Sequence, residues 1–390
     1  MLIYTLTSMK NSIAVYYGVY YRFEEKTYGW PPEVFFLKGL CFKFEKVVLL
    51  APVKILDKLT DIDPMFIEIE QHEQLFIKEL PFFDSRLSSL LVHRKLNSLL
   101  KNVNVEYAFI AQVMFNAMKM ASILKSKKIK IRIYIASNPL EILNSKELSG
   151  RYFFNAIGRM YVKYLFFQTN KYKCFINGQN LFEKIDVKYK SIINSSTLFE
   201  NDRVEENTFS TDLSLLFVGR LVASKKVDVL IKSIAKLKEN YPNVILNIVG
   251  LGPLLHDLKI ISQKLNLNDN IRFLGGISSK KELYKLYQNS YLFIFSSLSE
   301  GNPRVIKEAT FFNLPSVSTR VGNLENEYQD DKDILFFDFN NYLQLASRVS
   351  ELYENKQKYS MFKLNLKKHK VVTIEDFVGT VYDQFNKDTL

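Results

Sequence analysis

The sequence is poor in the residues that build disulfide scaffolds and metal centres. Its 390 residues hold two cysteines, Cys41 and Cys174, and four histidines, His72, His93, His256 and His369. The cysteines lie too far apart to frame a small stapled domain or a zinc site, and the histidines share no ligand spacing. Such cysteine usage fits a reducing, cytosolic compartment with both thiols buried as small hydrophobes. No window reaches the roughly 20 uninterrupted apolar residues that a membrane span needs. The start, MLIYTLTSMKNS, lacks a cationic segment followed by a long apolar run, so no secretory leader is expected. There is no Gly-rich P-loop, no HExxH and no GxSxG. Short-period repeats and Pro- or Gly-rich linkers are also missing.

What is present is ordinary in bulk and uneven in detail. Hydrophobic residues make up 47% and charged residues 24%, as in a folded globular chain. The length is long for one core and comfortable for two domains. The net charge of +12 is concentrated: residues 101–200 hold 16 Lys and Arg against 6 Asp and Glu, whereas residues 1–100 balance at 12 against 12. Within the basic hundred, MKMASILKSKKIKIRIYI and RYFFNAIGRMYVKYLFFQTNKYK mix cations with aromatics. A solvated basic face, an anionic membrane surface, a nucleic acid or a phosphorylated substrate would each fit. No nucleic-acid motif of recognisable spacing accompanies the charge, so nucleic acid is not expected as a partner.

The polar, acidic segment 194–212, NSSTLFENDRVEENTFSTD, marks a domain boundary. After it, short apolar runs alternate with amphipathic stretches. LSLLFVG, VILNIVG, IRFLGG, YLFIFSS and PSVST read as buried strands. Between them, Val227, Leu230, Ile231, Ile234 and Leu237 recur at helix spacing, as do residues of LLHDLKIISQKLNL, SKKELYKLYQNS and PRVIKEATFFN. Strictly alternating strands and helices predict an α/β fold with a parallel sheet covered on both faces. The first half repeats the rhythm less clearly, with strands expected in 46–53, 106–112, 129–137 and 172–178. A last helix is expected in TIEDFVGTVYDQFNKD.

Ligands of parallel sheets bind beyond the carboxyl ends of the strands, and two motifs fall there. In VGRLVASKK, Gly219 closes a strand, Arg220 follows, and Lys225 stands near a helix start. Two cations beside a helix N-terminus form an anion site, although solvent-facing loop cations would look the same. In SEGNPRVIKEA, Ser299 or Glu300 could cap a helix that starts near Pro303. Capping does not account for Glu308, more than one turn further on. Carboxylates accept from vicinal hydroxyls, so Glu300 and Glu308 around an anion-binding loop would suit the two sugar ends of a sugar nucleotide.

From Leu215 to about Val321 these pieces occur in one order, FVGRLVASKKVDVLIKSI, LNIVGLGP, IRFLGGIS and LYKLYQNSYLFIFSSLSEGNPRVIKEA. That series resembles the retaining glycosyltransferases of family 4 (glycosyl transferases group 1). The resemblance implies the GT-B fold, an α/β architecture of two Rossmann-like domains with parallel sheets facing across a cleft. The corresponding division is 1–200 for an acceptor-binding domain, 201–370 for a donor-binding domain, and 371–390 for a helix crossing back to the first. It also implies that Arg220 and Lys225 hold the donor diphosphate, that Glu308 binds the ribose, and that Glu300 faces the transferred sugar. Gly219 would close the strand beside the diphosphate, Gly301, Asn302 and Pro303 would approach the sugar through their backbone, and the backbone near Phe273 would meet the base. Lys226 and Asn313 stand where the family usually has Gly. In the first half only the rhythm matches, with Gln112 where a His is expected and Ser137 and Asn138 after the third strand.

The expected activity is transfer of a sugar from a UDP-, GDP- or ADP-sugar to a glycan or lipid-linked acceptor, with retention of configuration, in surface polysaccharide, lipopolysaccharide or capsule synthesis. No cofactor and no metal are expected, because the cations would carry the leaving diphosphate. The expected location is cytoplasmic, with peripheral attachment to an anionic inner membrane face as a further partner. The alternative is a non-catalytic sugar-nucleotide-binding subunit of a glycan assembly complex.

Overall fold

A computed structural model describes residues 11–63, 65–82, 94–111, 116–136, 152–203, 213–300 and 302–387. The chain divides into two compact units, Met1–Thr197 with Val372–Leu390, and Leu198–Val371. The division falls inside the polar segment at 194–212, three residues before the expected boundary.

The first unit is built on β1 (Ser12–Tyr16), β2 (Tyr20–Phe23), β3 (Lys26–Gly29), β4 (Lys46–Ile55), β5 (Ile67–Glu68), β6 (Leu75–Pro81), β7 (Tyr107–Ala111), β8 (Lys130–Ile135), β9 (Lys173–Asn177) and β10 (Lys190–Ile193). Parallel neighbours run β6-β4-β1-β7-β8-β9-β10. β2 extends the far end of β4, and β3 and β5 pair antiparallel beyond it, so this sheet is mostly rather than wholly parallel. Helices α1 (Pro31–Cys41), α2 (Ala117–Ser126), α3 (Tyr152–Thr169) and α4 (Gln179–Lys184) connect these strands. The first eight residues of β4 are all buried, as expected of a strand covered on both faces.

The second unit has a six-stranded, all-parallel sheet: β11 (Ser214–Val218), β12 (Ile245–Val249), β13 (Ile271–Gly275), β14 (Leu292–Phe295), β15 (Ser316–Thr319) and β16 (Ile334–Phe337). Its order is β13-β12-β11-β14-β15-β16. The helices are α5 (Val227–Lys238), α6 (Leu255–Lys264), α7 (Lys280–Asn289), α8 (Arg304–Phe311), α9 (Leu324–Glu327), α10 (Tyr342–Glu354) and α11 (Lys356–Leu366). The five apolar positions read from the sequence of α5 are all buried.

The last helix, α12 (Ile374–Asn386), belongs to the first unit and packs on α1. Gly39 permits the approach, since a Cβ there would meet Ile374 Cγ2 at 2.4 Å. The Tyr107 hydroxyl donates to Asn386 Oδ1 at 2.9 Å, and the buried Arg132 donates to the Gln384 carbonyl at 2.7 Å. Both cysteines are free and buried, and burial pushes the Cys41 thiol up to about 11 and Cys174 to about 12.

Candidate functional site

Counted from β11, the second sheet has the order 3-2-1-4-5-6, and its sense reverses between β11 and β14. Crevices in doubly wound sheets open at that reversal, outside the carboxyl ends of the strands. Both sequence motifs sit there. Gly219, Arg220 and Lys225 follow β11, and residues 296–303 follow β14.

The loop after β11 is fixed by backbone contacts. The Gly219 N–H donates to Val249 O at 3.0 Å and the Leu221 N–H to Leu251 O at 2.9 Å. This close approach explains the glycine of the next turn: at Gly250, φ is +141° and a Cβ would lie 1.9 Å from the Gly219 carbonyl oxygen. Residues Ala223–Lys225 then form one 3₁₀ turn, and Lys226 takes φ 50° before α5 begins. That left-handed angle is what a glycine would supply, and here a lysine bears the strain. Asn313 after α8 also has a positive φ, 51°, which asparagine tolerates better.

Lys225 and Glu300 form an ion pair across the reversal, between side chains that are 20% and 16% exposed. The Ser297 hydroxyl donates to Glu300 Oε1 at 2.8 Å. Ser296 donates to the carbonyls of Lys225 and Lys226 at 2.8 and 2.9 Å, and the Leu298 N–H donates to Ser224 O at 2.7 Å. The ammonium also lies 5.4 Å from the Phe295 ring centroid. Two loops 75 residues apart are thereby latched together. Arg220 is exposed, and its guanidinium has no ion-pair or hydrogen-bond partner among the described residues.

Glu308 lies in the second turn of α8, half-buried, and accepts from the Tyr287 hydroxyl at 2.8 Å. Tyr287 is wholly buried in α7, and burial, reinforced by the Glu308 charge, pushes its hydroxyl well above the usual range. It therefore remains a donor that fixes one carboxylate oxygen. Neither Ser299 nor Glu300 caps α8, contrary to the capping reading. Pro303 occupies the N-cap and no side chain bonds to the first-turn amides. The carboxylate of Glu300 is instead drawn to Lys225 and Ser297.

The uncapped start has a pattern. α5, α6 and α8, which follow the adjacent strands β11, β12 and β14, begin without a side-chain cap, as does the one-turn α9 after β15. α7, α10 and α11 are capped by Ser279, Asn341 and Asn355. Open helix starts leave N–H groups and a positive dipole end for an anion. Asn302 is half-buried, and its Oδ1 is buried with no hydrogen-bond partner among the described residues. Phe273 is half-buried on β13, with the Lys259 ammonium 6.0 Å from its ring. Gly301, Gln112, Ser137 and Asn138 lie outside the described residues. Among the described residues no three His, Cys, Asp or Glu side chains cluster as a metal site, and no helix is long and apolar enough to cross a membrane.

Sequence reasoning identified the pair of glutamates but not the groups that hold them. Ser296, Ser297 and Tyr287 were absent from the candidate set. The apolar face of α7 carried a signal, because a tyrosine among leucines needs a partner for its hydroxyl when buried.

Residues 199–369, nearly the whole second unit, match the family Glycosyl transferases group 1. The glycosyltransferases among the chain's relatives support that family. An uncharacterized glycosyltransferase of Methanocaldococcus jannaschii is 39% identical over 113 residues, 29% of this chain and 27% of that protein. One component of the human phosphatidylinositol N-acetylglucosaminyltransferase is 32% identical over 123 residues, 32% of this chain and 25% of that protein. The chain thus spans only about a quarter of the length of these two relatives. Over the whole chain the likeness is one of fold. The crystal structure of HepE from Anabaena in complex with UDP and glucose aligns with a TM-score of 0.66 at 14% identity, covering 96% of this chain and 99% of that one. The architecture is the GT-B fold of glycosyltransferases.

Proposed function

We propose that the chain transfers a sugar from a nucleoside diphosphate sugar, with retention of configuration, to a lipid-linked or glycan acceptor. The observation that carries this reading is the Lys225–Glu300 pair at the sheet reversal, beside the exposed Arg220, unpaired among the described residues, and the open starts of α5, α6 and α8. Cations and amide dipoles suit a diphosphate, and carboxylates suit the hydroxyls on either side of it.

In this reading Arg220 grips the diphosphate, and Lys225, held in place by Glu300, lends its charge as the bond to the sugar breaks. Charge fixed in place before reaction stabilises a leaving group without reorganisation. Glu308, held by Tyr287, accepts from the ribose, and the backbone near Phe273 meets the base. Glu300 and the backbone of residues 301–303 face the sugar, where Asn302 Oδ1 has an unmet capacity to accept a hydrogen bond. HepE binding UDP and glucose makes a UDP-sugar the first donor to try. The human relative's name specifies a phosphatidylinositol acceptor, which favours a lipid-linked acceptor among the two classes.

Donor binding and donor hydrolysis across UDP-, GDP- and ADP-sugars test the reading. One of them should bind and turn over, and Glu308→Ala and Arg220→Ala should each weaken binding about tenfold or more. Turnover of none, with both variants binding as the parent does, overturns it. Binding without turnover would point to a non-catalytic role in a larger complex.

A further inference from the structure

Helix α3 of the first unit carries large apolar side chains on its outward face as well as on its inward one. Its inward positions are ordinary: Val162 and Thr169 are buried, and Phe166 packs against the core. Outward, Met160, Tyr164 and Phe167 are 70%, 55% and 66% exposed. They recur at i, i+4 and i+7, so they form one stripe, and the half-exposed Tyr161 stands beside it. Single exposed apolar residues need no explanation, but a contiguous stripe of large ones marks a surface that meets something apolar.

Cations border this stripe. Arg159 and Lys163 are exposed on the same helix. The Lys171 ammonium lies 5.9 Å from the Phe167 ring centroid, and Lys125 of α2 donates to the Lys171 carbonyl at 3.1 Å. From Asn116 to Ala136 and from Tyr152 to Phe182 the chain has ten lysines and arginines and no aspartate or glutamate. Elsewhere in the first unit surface lysines are paired with carboxylates, Lys26 with Glu68 and Lys38 with Glu70.

We propose that α3 docks the first unit on an anionic lipid bilayer. Met160, Tyr164 and Phe167 enter the boundary between headgroups and acyl chains, where aromatic side chains partition well. Lys163, Lys171 and Lys125 meet the acidic headgroups, each contributing about 1 kcal/mol near such a surface. A folded protein partner would use the apolar stripe without the acid-free surroundings. A nucleic acid would use the charge without the outward Met160 and Phe167. A bilayer uses both, which decides between them. The inference stands on the first unit alone and does not depend on the donor site.

The test is sedimentation of the full chain with vesicles of phosphatidylcholine, with and without phosphatidylglycerol, at low and high salt. Binding is expected on the anionic vesicles at low salt, with large loss at high salt or without phosphatidylglycerol. Each of Lys163→Ala and Lys171→Ala should lower partitioning about fivefold, and Met160→Ser with Phe167→Ser should lower it further. Thermal unfolding and nucleotide binding report whether the variants remain folded. Should the double serine variant melt early, Phe167→Ser alone, at a 66% exposed position, gives the same reading. The proposal is overturned by no binding at low salt, by equal binding to neutral vesicles, or by serine variants that bind like the parent. A serine-sensitive dimer in sedimentation equilibrium, without vesicle binding, would assign the stripe to a second copy instead.

Discussion

The two units share a plan and differ in what their sequences disclose. Each contains a parallel run whose order, counted from its own first strand, is 3-2-1-4-5-6, with one further strand, β10, in the first. In the second unit the strand ends carry an ordered set of charged residues and glycines. In the first, β1 ends at Tyr16 and is followed by Gly18, at φ 91°, whose added Cβ would strike the Glu33 carboxylate at 1.9 Å. A strand-end glycine is therefore present, but it stands alone between tyrosines and could not be recognised from its neighbours. The lesson is that a fold asks only for an apolar rhythm, whereas a diphosphate asks for particular groups at particular places. The rhythm tolerates many sequences, and a site of the kind proposed tolerates few.

Glycines provide the sharpest way to break this comparison. Gly250→Ala places a methyl against the Gly219 backbone oxygen, which cannot swing away. A loss of about 3 kcal/mol is expected for the second unit, read by denaturant unfolding. Gly39→Ala in the first unit meets side-chain methyls, Ile374 Cγ2 at 2.4 Å and Val378 Cγ2 at 2.9 Å, which yield more readily than a backbone oxygen through a small shift of α12, and it gains helix propensity. Its cost should be about 1 kcal/mol, with nucleotide binding by the second unit unchanged. Equal costs at the two sites would show that close backbone approach is not what distinguishes the loops of the candidate site.

Arg220→Ala should lower kcat/KM for donor turnover about a hundredfold while leaving the melting temperature unchanged, because the side chain is exposed and unpaired among the described residues. A substantial fall in stability would instead mean a structural role. Tyr287→Phe removes one hydrogen bond to Glu308, so the donor KM should rise about fivefold with kcat little changed. If kcat falls and KM does not, Glu308 acts on the reacting sugar rather than on the ribose. The smallest effect is expected at Lys226, where φ is 50°. Lys226→Gly should stabilise the second unit by about 0.5 kcal/mol in thermal or chemical unfolding.

Legibility followed burial and repetition. Each strand expected in the second unit is present, because a strand covered on both faces reads as a short, unbroken apolar run. β16, Ile334–Phe337, was passed over because four residues between polar turns give little periodicity. β1 was passed over because SIAVYYGVYYRF runs through a turn without losing its apolar character. β2, β3 and β5 escaped notice because a mixed edge ladder has no repeating unit to recognise. Of the candidate site, Arg220, Lys225 and Glu300 were singled out by their place after strand ends, and Glu308 because capping did not account for it, with their roles implied by the family resemblance. Ser297 and Tyr287 were not, because what they do depends on partners 3 and 21 residues away that only folding brings into reach.

The sequence by itself determined the alternation of strands and helices, the polar boundary near residue 200, the place of the basic excess, and which charged residues stand at strand ends. Local pattern carries that information because burial and periodicity are properties of neighbouring residues. The tertiary structure alone decided that Glu300 latches to Lys225 instead of capping α8, that Tyr287 holds Glu308, and that the aromatics of α3 face outward. Each of these is a choice among partners distant in sequence or among faces of one helix, and packing makes that choice only after the chain has closed on itself.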